Sequence, residues 1–211
     1  SSTNIGLSML AVIASYDLGF EDLESTMDRL TNIINVVYEL PKWNGHLYNW
    51  YNIKTKQPLI PRYVSTVDSG NLVGYMYTVR AFWDKMYPVQ NCPVQNLLTQ
   101  MIEETDFSVL YSEEQRLFSI GFNIEENKLT DSYYDLLASE ARQASLVAIA
   151  KKDVPQKHWN NLSRTLTVLK KYKGLISWSG TAFEYLMPNI NIPRYKGSLL
   201  DESCRFLIIN Q

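Results

Sequence analysis

The sequence predicts an all-α protein of the (α/α)6-barrel, or toroid, type with short β-hairpins in its loops. Two observations carry this prediction: apolar residues recur at helical spacing in several segments, and long aromatic-rich segments separate them. Antiparallel helix pairs whose loops build a groove at one end suit such a toroid. Only about seven helices are visible, whereas a closed ring of six pairs needs twelve. The 211 residues (1–211) therefore suit a single domain or a fragment of one.

Two helices are predicted at the beginning of the chain. The first spans about residues 5–18, with Thr3 as its N-cap and Gly19 as its stop. The second shows the clearest helical period, because its apolar residues step by four and three. These residues are Leu23, Met27, Leu30, Ile34 and Val37.

The later elements are shorter. Residues 42–65 and 109–122 indicate hairpins, residues 87–96 indicate a linker with two prolines, and residues 175–178 are predicted to be extended. Further helices are predicted over about 68–86, 94–104, 132–150, 155–162, 181–187 and 199–209.

Composition argues against several classes of function. The formal net charge of −2 shows no basic excess, so neither nucleic acid nor an anionic membrane surface is an expected partner. Two cysteines, Cys92 and Cys204, and two histidines, His46 and His158, are too few and too separated for a disulfide framework or a metal site. We therefore expect reduced thiols in the cytoplasm, and neither a metal nor an organic cofactor. No apolar run reaches the length of a membrane span.

Aromatic side chains are numerous in the predicted loops. The chain has 14 Tyr and 5 Trp, among them Trp50 and Tyr51 in one loop and Trp178 beside Gly180 in another. Such side chains can stack on sugar rings or simply fill a core. Their mixture with Asn, Asp and Arg favours a binding site.

Glu140 is the candidate catalytic residue. Within the helix predicted from Ser132 to about Ala150, the positions three and four away from Glu140 carry no positive charge, so no i,i+4 ion pair is available. Those positions are Leu136, Leu137, Gln143, Ala144 and Val147. A carboxylate that faces a core favours its protonated form, which is what a general acid needs. The alternative is a rotated helix with Glu140 at a wet edge.

Three further candidates each have a structural alternative. Arg62, between Pro61 and Tyr63, suits the binding of a hydroxyl or carboxylate group. Asp68 can equally cap the third helix, and Glu184 forms a T-x-x-E capping box that is a stronger interpretation than a catalytic role. Glycosidases use two carboxyl groups. The spacing of residues in the sequence does not show which of Asp68, Asp135 and Glu184 would be the second carboxylate beside Glu140.

Several motifs occur together along the chain, including Ser139-Glu140-Ala141-Arg142 and the run from Phe183 to Pro188. The matching segments are residues 3–7, 49–51, 61–71, 117–121, 132–142, 148–150 and 177–188. In this order they resemble the glycoamylase-like transglycosylase domain of cyclic β-1,2-glucan synthases over nearly the whole chain. The resemblance implies an (α/α)6-barrel related to that of endo-β-1,2-glucanases. Relative to that family, the stretch between Asn71 and Asp106 is short.

The resemblance also implies a function. It implies action on linear β-1,2-glucan with retention of configuration, by cyclising transglycosylation or by hydrolysis, with Glu140 as the acid/base acting through a substrate hydroxyl. The substrate-binding residues would be Trp50, Tyr51, Arg62, Asp68, Tyr134, Trp178 and Glu184. The second catalytic Glu of the family, in a W-G-I-S-E motif, would lie beyond Gln211. The expected partners are a β-1,2-glucan oligosaccharide and the other domains of a larger, membrane-associated synthase.

Two alternatives remain open at this point. In the first, the chain is a non-catalytic carbohydrate-binding or scaffold fragment that lacks the second carboxylate. In the second, the aromatic side chains only pack and form no binding site.

Overall fold

A computed structural model describes residues 1–88 and 92–210, and about half of them are helical. The helices are α1 (Ser2–Asp17), α2 (Leu23–Glu39), α3 (Thr66–Met86), α4 (Pro93–Glu104), α5 (Arg142–Lys151), α6 (His158–Asn161), α7 (Ala182–Leu186) and α8 (Leu199–Asn210). The strands are β1 (Lys42–Trp43), β2 (His46–Leu47), β3 (Tyr63–Ser65), β4 (Tyr111–Ser112), β5 (Leu117–Ser119), β6 (Gly121–Asn123), β7 (Lys128–Leu129), β8 (Tyr133–Tyr134), β9 (Leu166–Leu169) and β10 (Tyr172–Leu175). Short 3₁₀ turns occupy Phe107–Leu110 and Met187–Ile190.

The first two helices agree closely with their predictions. Helix α2 begins after Asp22, whose carboxylate accepts the Ser25 N–H at 2.8 Å, and its predicted apolar face buries Leu30, Ile34 and Val37. Helix α1 ends where Gly19 adopts a φ of 78°, a left-handed conformation that favours glycine. Its predicted N-cap is wrong, because the helix already begins at Ser2 and Thr3 lies in its first turn.

Helix α3 is the central element and packs between α1 and α5. Two glycines permit this close packing: a Cβ on Gly6 would lie 2.4 Å from the Tyr75 ring, and one on Gly70 would lie 2.2 Å from the Ala144 Cβ. The N-cap of α3 is Ser65, whose hydroxyl accepts the Asp68 N–H at 3.3 Å. The suggestion that Asp68 caps this helix is therefore wrong.

Two three-stranded sheets form between the helices. Strand β6 lies between β3 and β7, and β5 lies between β4 and β8, all antiparallel. The predicted hairpin over 109–122 is confirmed for β4 and β5, but its second strand divides at Ile120 between the two sheets. The buried Thr66 hydroxyl, at the start of α3, donates to the Ser119 carbonyl at 2.6 Å and joins the helix to this division.

The helix predicted over 132–150 is the main error. Tyr133 and Tyr134 form strand β8 opposite β5, Leu136 makes a bridge to Ser163, and the helix begins only at Arg142. Backbone pairing with two other segments thus replaces helical hydrogen bonds over residues 133–137, and a turn occupies 139–141. Glu140 consequently lies in a turn before α5 and not on an apolar helical stripe.

The C-terminal part adds a hairpin that was not predicted. Strands β9 and β10 pair from Leu166 opposite Leu175 to Leu169 opposite Tyr172. Helix α8 packs across β10, where a Cβ on Gly174 would lie 2.6 Å from the Phe206 ring. Leu175, Tyr185 and Leu207 belong to a second, smaller apolar core beneath this hairpin.

The mainly helical class with small sheets is as predicted. The described residues hold eight α-helices, fewer than the twelve of a closed ring. The predicted linker lies partly outside the described residues, at 89–91. Within the described ranges, no helix has both the length and the apolar character to cross a bilayer, and no three His, Cys, Asp or Glu side chains form a group suited to a metal ion.

Candidate functional site

We name residues 139–141 the Glu140 turn. The half-buried Glu140 precedes α5, and its Oε2 accepts the Ser139 hydroxyl at 3.3 Å. The same hydroxyl accepts the Ala141 N–H at 3.2 Å, so Ser139 organises the turn around the carboxylate. A carboxylate next to a helix N-terminus also interacts favourably with the helix dipole.

Tyr134 lies near both Glu140 and Asp68. Burial raises the pKa of the Tyr134 hydroxyl above its usual range, and the nearby Glu140, Tyr63 and Asp68 raise it further. Strand β8 holds the residue in place, because Tyr134 lies opposite Phe118 of β5. The structure thus brings together a tyrosine that keeps its proton and two carboxylates.

Asp68 has a structural contact within this cluster. Its Oδ1 accepts the Thr3 N–H of α1 at 3.3 Å, and Asn71 donates to the Thr3 hydroxyl at 3.1 Å. Ser1 makes no side-chain capping bond at that helix start. Asp68 therefore satisfies a free N–H group of α1 while its charge lies near Tyr134.

Arg142 ties the Glu140 turn to α7. Its guanidinium, on a residue only 3% exposed, donates to the carbonyls of Ser139 at 2.9 Å, Glu184 at 3.0 Å and Tyr185 at 2.7 Å. Burial lowers the pKa of Arg142 to about 10, against the opposing effects of Cys204 and the Glu140 charge. Sequence reasoning gave this residue no role, although a cation among small and apolar neighbours was a signal.

Glu184 has the structural role that its capping box suggested. Its carboxylate accepts the N–H groups and the hydroxyls of Ser179 and Thr181, and the Ser177 hydroxyl, at 2.8–3.2 Å. Burial alone would raise the pKa of Glu184, but these hydrogen bonds lower it to about 2. The group is thus a poor candidate for the partner of Glu140.

The remaining predicted residues lie in three surface segments. Trp178 is 59% exposed on the loop that Glu184 holds, and Trp50 is 51% exposed. The Tyr51 hydroxyl accepts the Tyr48 N–H at 2.9 Å and donates to the Pro41 carbonyl at 2.7 Å. Arg62 forms an exposed ion pair with Glu125 at 2.8 Å. Among the described residues, no hydrogen bond joins Trp50, Tyr51 or Arg62 to the Glu140 turn, so their binding roles stay predictions.

Two clefts among the described residues lie away from the Glu140 turn. One of about 560 Å³ opens between α5 and α6, and one of about 440 Å³ lies where α3 meets α5. Their linings share Leu146 and contain none of the eight predicted site residues.

Comparison with known proteins was made at the levels of sequence and fold. No protein-family profile matches the chain. The whole chain is 27% identical to the cyclic β-(1,2)-glucan synthase NdvB of Rhizobium meliloti (strain 1021), and it spans 12% of the length of that protein. The alignment extends over 335 positions, whereas this chain has 211 residues. At least 124 of those positions therefore hold synthase residues that have no counterpart in this chain.

Solved structures share the fold. The endo-β-1,2-glucanase of Chitinophaga pinensis, in complex with sophorotriose and glucose, matches 99% of the chain with a TM-score of 0.80 and 13% identity. A glucoamylase-like protein of Bacteroides uniformis ATCC 8492 matches 97% with a TM-score of 0.80 and 13% identity. The chain spans 55% and 54% of these two structures. The resemblance to cyclic β-1,2-glucan synthases that the motifs predicted is therefore confirmed along the whole chain.

Proposed function

We propose that this chain is a carbohydrate-active domain that acts on β-1,2-glucan, with Glu140 as its acid/base. The observation that carries the proposal is the whole-chain similarity to a cyclic β-(1,2)-glucan synthase. A fold likeness to an endo-β-1,2-glucanase supports the same substrate class. We further propose that the helices are part of an (α/α)6-barrel and that the chain works within a larger synthase. Its cytoplasmic location stays a prediction.

The chemistry would take place at the Glu140 turn. As acid/base, Glu140 would protonate the departing sugar oxygen through a substrate hydroxyl and then deprotonate the attacking group, which is a sugar hydroxyl in transglycosylation and water in hydrolysis. Tyr134 stays protonated beside it and can donate to a sugar oxygen or to a carboxylate. Glu140 is half-buried in the turn before α5, so a sugar can reach its carboxylate, whereas the helical stripe predicted a carboxylate that faces the core.

A second carboxylate is needed for a retaining reaction, in which the two groups lie about 5–5.5 Å apart. Of the three partners considered for Glu140, Asp68 has its charge near Tyr134, whereas the Glu184 carboxylate is fully occupied by its own loop. The synthase resemblance instead assigns the second Glu to a motif beyond Gln211. Asp68 would then bind a sugar hydroxyl.

The second candidate function is sugar binding without turnover. The observation that favours it is that Asp68 and Glu184 both have structural hydrogen bonds, which leaves Glu140 as the least engaged carboxylate of the cluster. The exposed indoles of Trp50 and Trp178 would still supply flat surfaces for sugar rings.

Incubation of the chain with linear β-1,2-glucan tests both functions. Wild type, Glu140→Gln and the control Glu114→Gln, which lies on the exposed 113–116 turn, would be compared by mass spectrometry of the products. We expect products one water lighter than the linear chains for cyclisation, or shorter chains with water added for hydrolysis. Either product should disappear in Glu140→Gln and persist in Glu114→Gln.

Tryptophan fluorescence separates the two candidates. A sugar-dependent change without products would support binding alone, and it should be lost in Trp178→Ala. Absence of both products and fluorescence change would refute action on β-1,2-glucan by this chain.

A further inference from the structure

Arg142 is a buried cation with an unusual set of partners. Buried guanidinium groups usually pair with a carboxylate, since an uncompensated buried charge is costly. Over residues 1–88 and 92–210, no carboxylate oxygen lies within 4.0 Å of the Arg142 nitrogens. Three backbone carbonyls accept its hydrogen bonds instead. One belongs to Ser139, in the turn just before Arg142, and the other two belong to Glu184 and Tyr185, which lie 42 and 43 residues further along the chain.

The first segment is the Glu140 turn. The Ser139 carbonyl accepts from the Arg142 side chain at 2.9 Å and from the Arg142 backbone N–H at 3.2 Å. Ser139 is the residue whose hydroxyl contacts the Glu140 carboxylate. The guanidinium therefore fixes the peptide that carries Glu140.

The second segment is α7. It supports residues 176–181, which we name the Trp178 loop. Arg142 binds the carbonyls of Glu184 and Tyr185 in α7. The Glu184 side chain in turn accepts hydrogen bonds from Ser177, Ser179 and Thr181 on either side of the exposed indole. Hydrogen bonds thus link the Glu140 turn through Arg142 to Glu184, and Glu184 to Ser177 and Ser179 on either side of Trp178.

We propose that Arg142 is a positioning residue that holds the Glu140 turn and the Trp178 loop as one rigid unit, so that the acid/base and the stacking surface keep a fixed separation along a bound glucan. This inference rests on the proposed function, because it assigns sugar contact to Trp178 and proton transfer to Glu140. Arg142 itself would not touch the substrate. Three convergent donors on a planar group suit this role, and a lysine offers only a single nitrogen.

Hydrogen–deuterium exchange without sugar tests the mechanical part. In Arg142→Met, amide exchange should increase by about tenfold or more in both segments, the Glu140 turn (139–141) and residues 177–185. Arg142→Lys should give a smaller increase and serves as the variant that keeps the charge if the methionine variant folds poorly. Arg164→Met is the matched control, because Arg164 also donates to three carbonyls, those of Trp159, Asn160 and Leu162, at another place. It should leave both segments unchanged.

Kinetics with linear β-1,2-glucan, or binding by fluorescence where no product forms, test the functional part. A displacement of about 1 Å can reduce a rate by about 10²-fold. We expect Arg142→Met to lower kcat on this scale and to raise KM, with partial recovery in Arg142→Lys. A variant that only reduced the folded fraction would lower kcat and leave KM unchanged.

The outcomes separate this inference from the proposed function. Faster exchange in one segment only, or in neither, would overturn the coupling even if wild type processed the glucan. Faster exchange in both segments with no glucan product or binding by wild type would support the coupling and refute the proposed function. An unchanged KM in Arg142→Met and Arg142→Lys would overturn the link to Trp178.

Discussion

Replacement of Glu184 by glutamine is expected to destabilise this protein at neutral pH and to lose much of its effect in acid. The carboxylate lies in a residue only 5% exposed and accepts hydrogen bonds from two backbone N–H groups and three hydroxyls. Although burial alone would raise its pKa, these bonds lower it from 4.5 to about 2. A glutamine keeps one acceptor oxygen, but its NH₂ group would face some of the same N–H and O–H donors. It therefore cannot accept all the hydrogen bonds that the carboxylate accepts.

The pKa shift sets the size and the sign of the effect. At 1.36 kcal/mol per pKa unit, a fall from 4.5 to about 2 corresponds to at most about 3 kcal/mol of folding free energy, which solvent screening reduces. Because the folded-state pKa is the lower one, this stabilisation is complete above the unfolded value of 4.5 and is lost as pH falls toward 2. About half of it should be gone at pH 3.

Urea unfolding of wild type and Glu184→Gln, at pH 7, 5 and 3, measures this dependence. The difference in unfolding free energy should be at most about 3 kcal/mol at pH 7 and should fall by about half at pH 3. Glu114→Gln, on an exposed turn, should follow wild type at every pH. A difference for Glu184→Gln that stays constant from pH 7 to pH 3 would refute the assignment of the low pKa to this carboxylate.

Three further predictions concern packing, a buried hydrogen bond and a surface ion pair. Gly70→Ala should destabilise by about 2 kcal/mol in urea unfolding, because its Cβ would lie 2.3 Å from the Ala144 Cα, and this backbone cannot rotate away. Ser145→Ala should cost about 1–3 kcal/mol in the same assay, since it removes the hydroxyl 2.9 Å from Nε2 of the buried His158. Arg62→Ala should leave the unfolding midpoint nearly unchanged, because its ion pair is exposed, and should weaken glucan binding in a fluorescence titration.

Each of these predictions has its own contrary result. Gly74→Ala is the control for Gly70→Ala, since its Cβ would meet the flexible end of Gln143 at 2.6 Å, and equal destabilisation of both would contradict the backbone argument. If Ser145→Ala left the unfolding free energy unchanged, the hydrogen bond between the Ser145 hydroxyl and Nε2 of His158 would not contribute to stability. Unchanged glucan affinity in Arg62→Ala would remove Arg62 from the predicted groove.

The elements predicted best are those whose stability is mostly local. Helix α2 was found from its apolar period, which runs from Leu23 to Val37, and the observed helix spans Leu23–Glu39. Helix α8 (Leu199–Asn210) and the capping box of α7 were likewise correct. Helical hydrogen bonds and caps join residues three or four apart, so the sequence contains the whole interaction.

The segment 132–141 shows where this reasoning fails. Its three-and-four spacing of apolar residues suited a helix, yet Tyr133 and Tyr134 pair with β5 and Leu136 with Ser163. Periodicity in one segment carries no information about a strand some fifteen residues earlier that offers backbone partners. The same limit explains why the β9–β10 hairpin was not predicted and why the 117–122 strand divides between two sheets.

For the candidate site, the sequence by itself determined the resemblance to cyclic β-1,2-glucan synthases, which depends on the order of residues in motifs, and Glu140 is the acid/base that this resemblance predicts. The tertiary structure alone decided that Glu140 and Asp68 both lie near Tyr134, that Glu184 is occupied by its own loop, and that Arg142 joins that loop to the Glu140 turn. These pairs join residues that lie up to 66 positions apart in the chain, as Asp68 and Tyr134 do. Their energies arise from burial and from hydrogen-bond geometry, which exist only once the chain has folded.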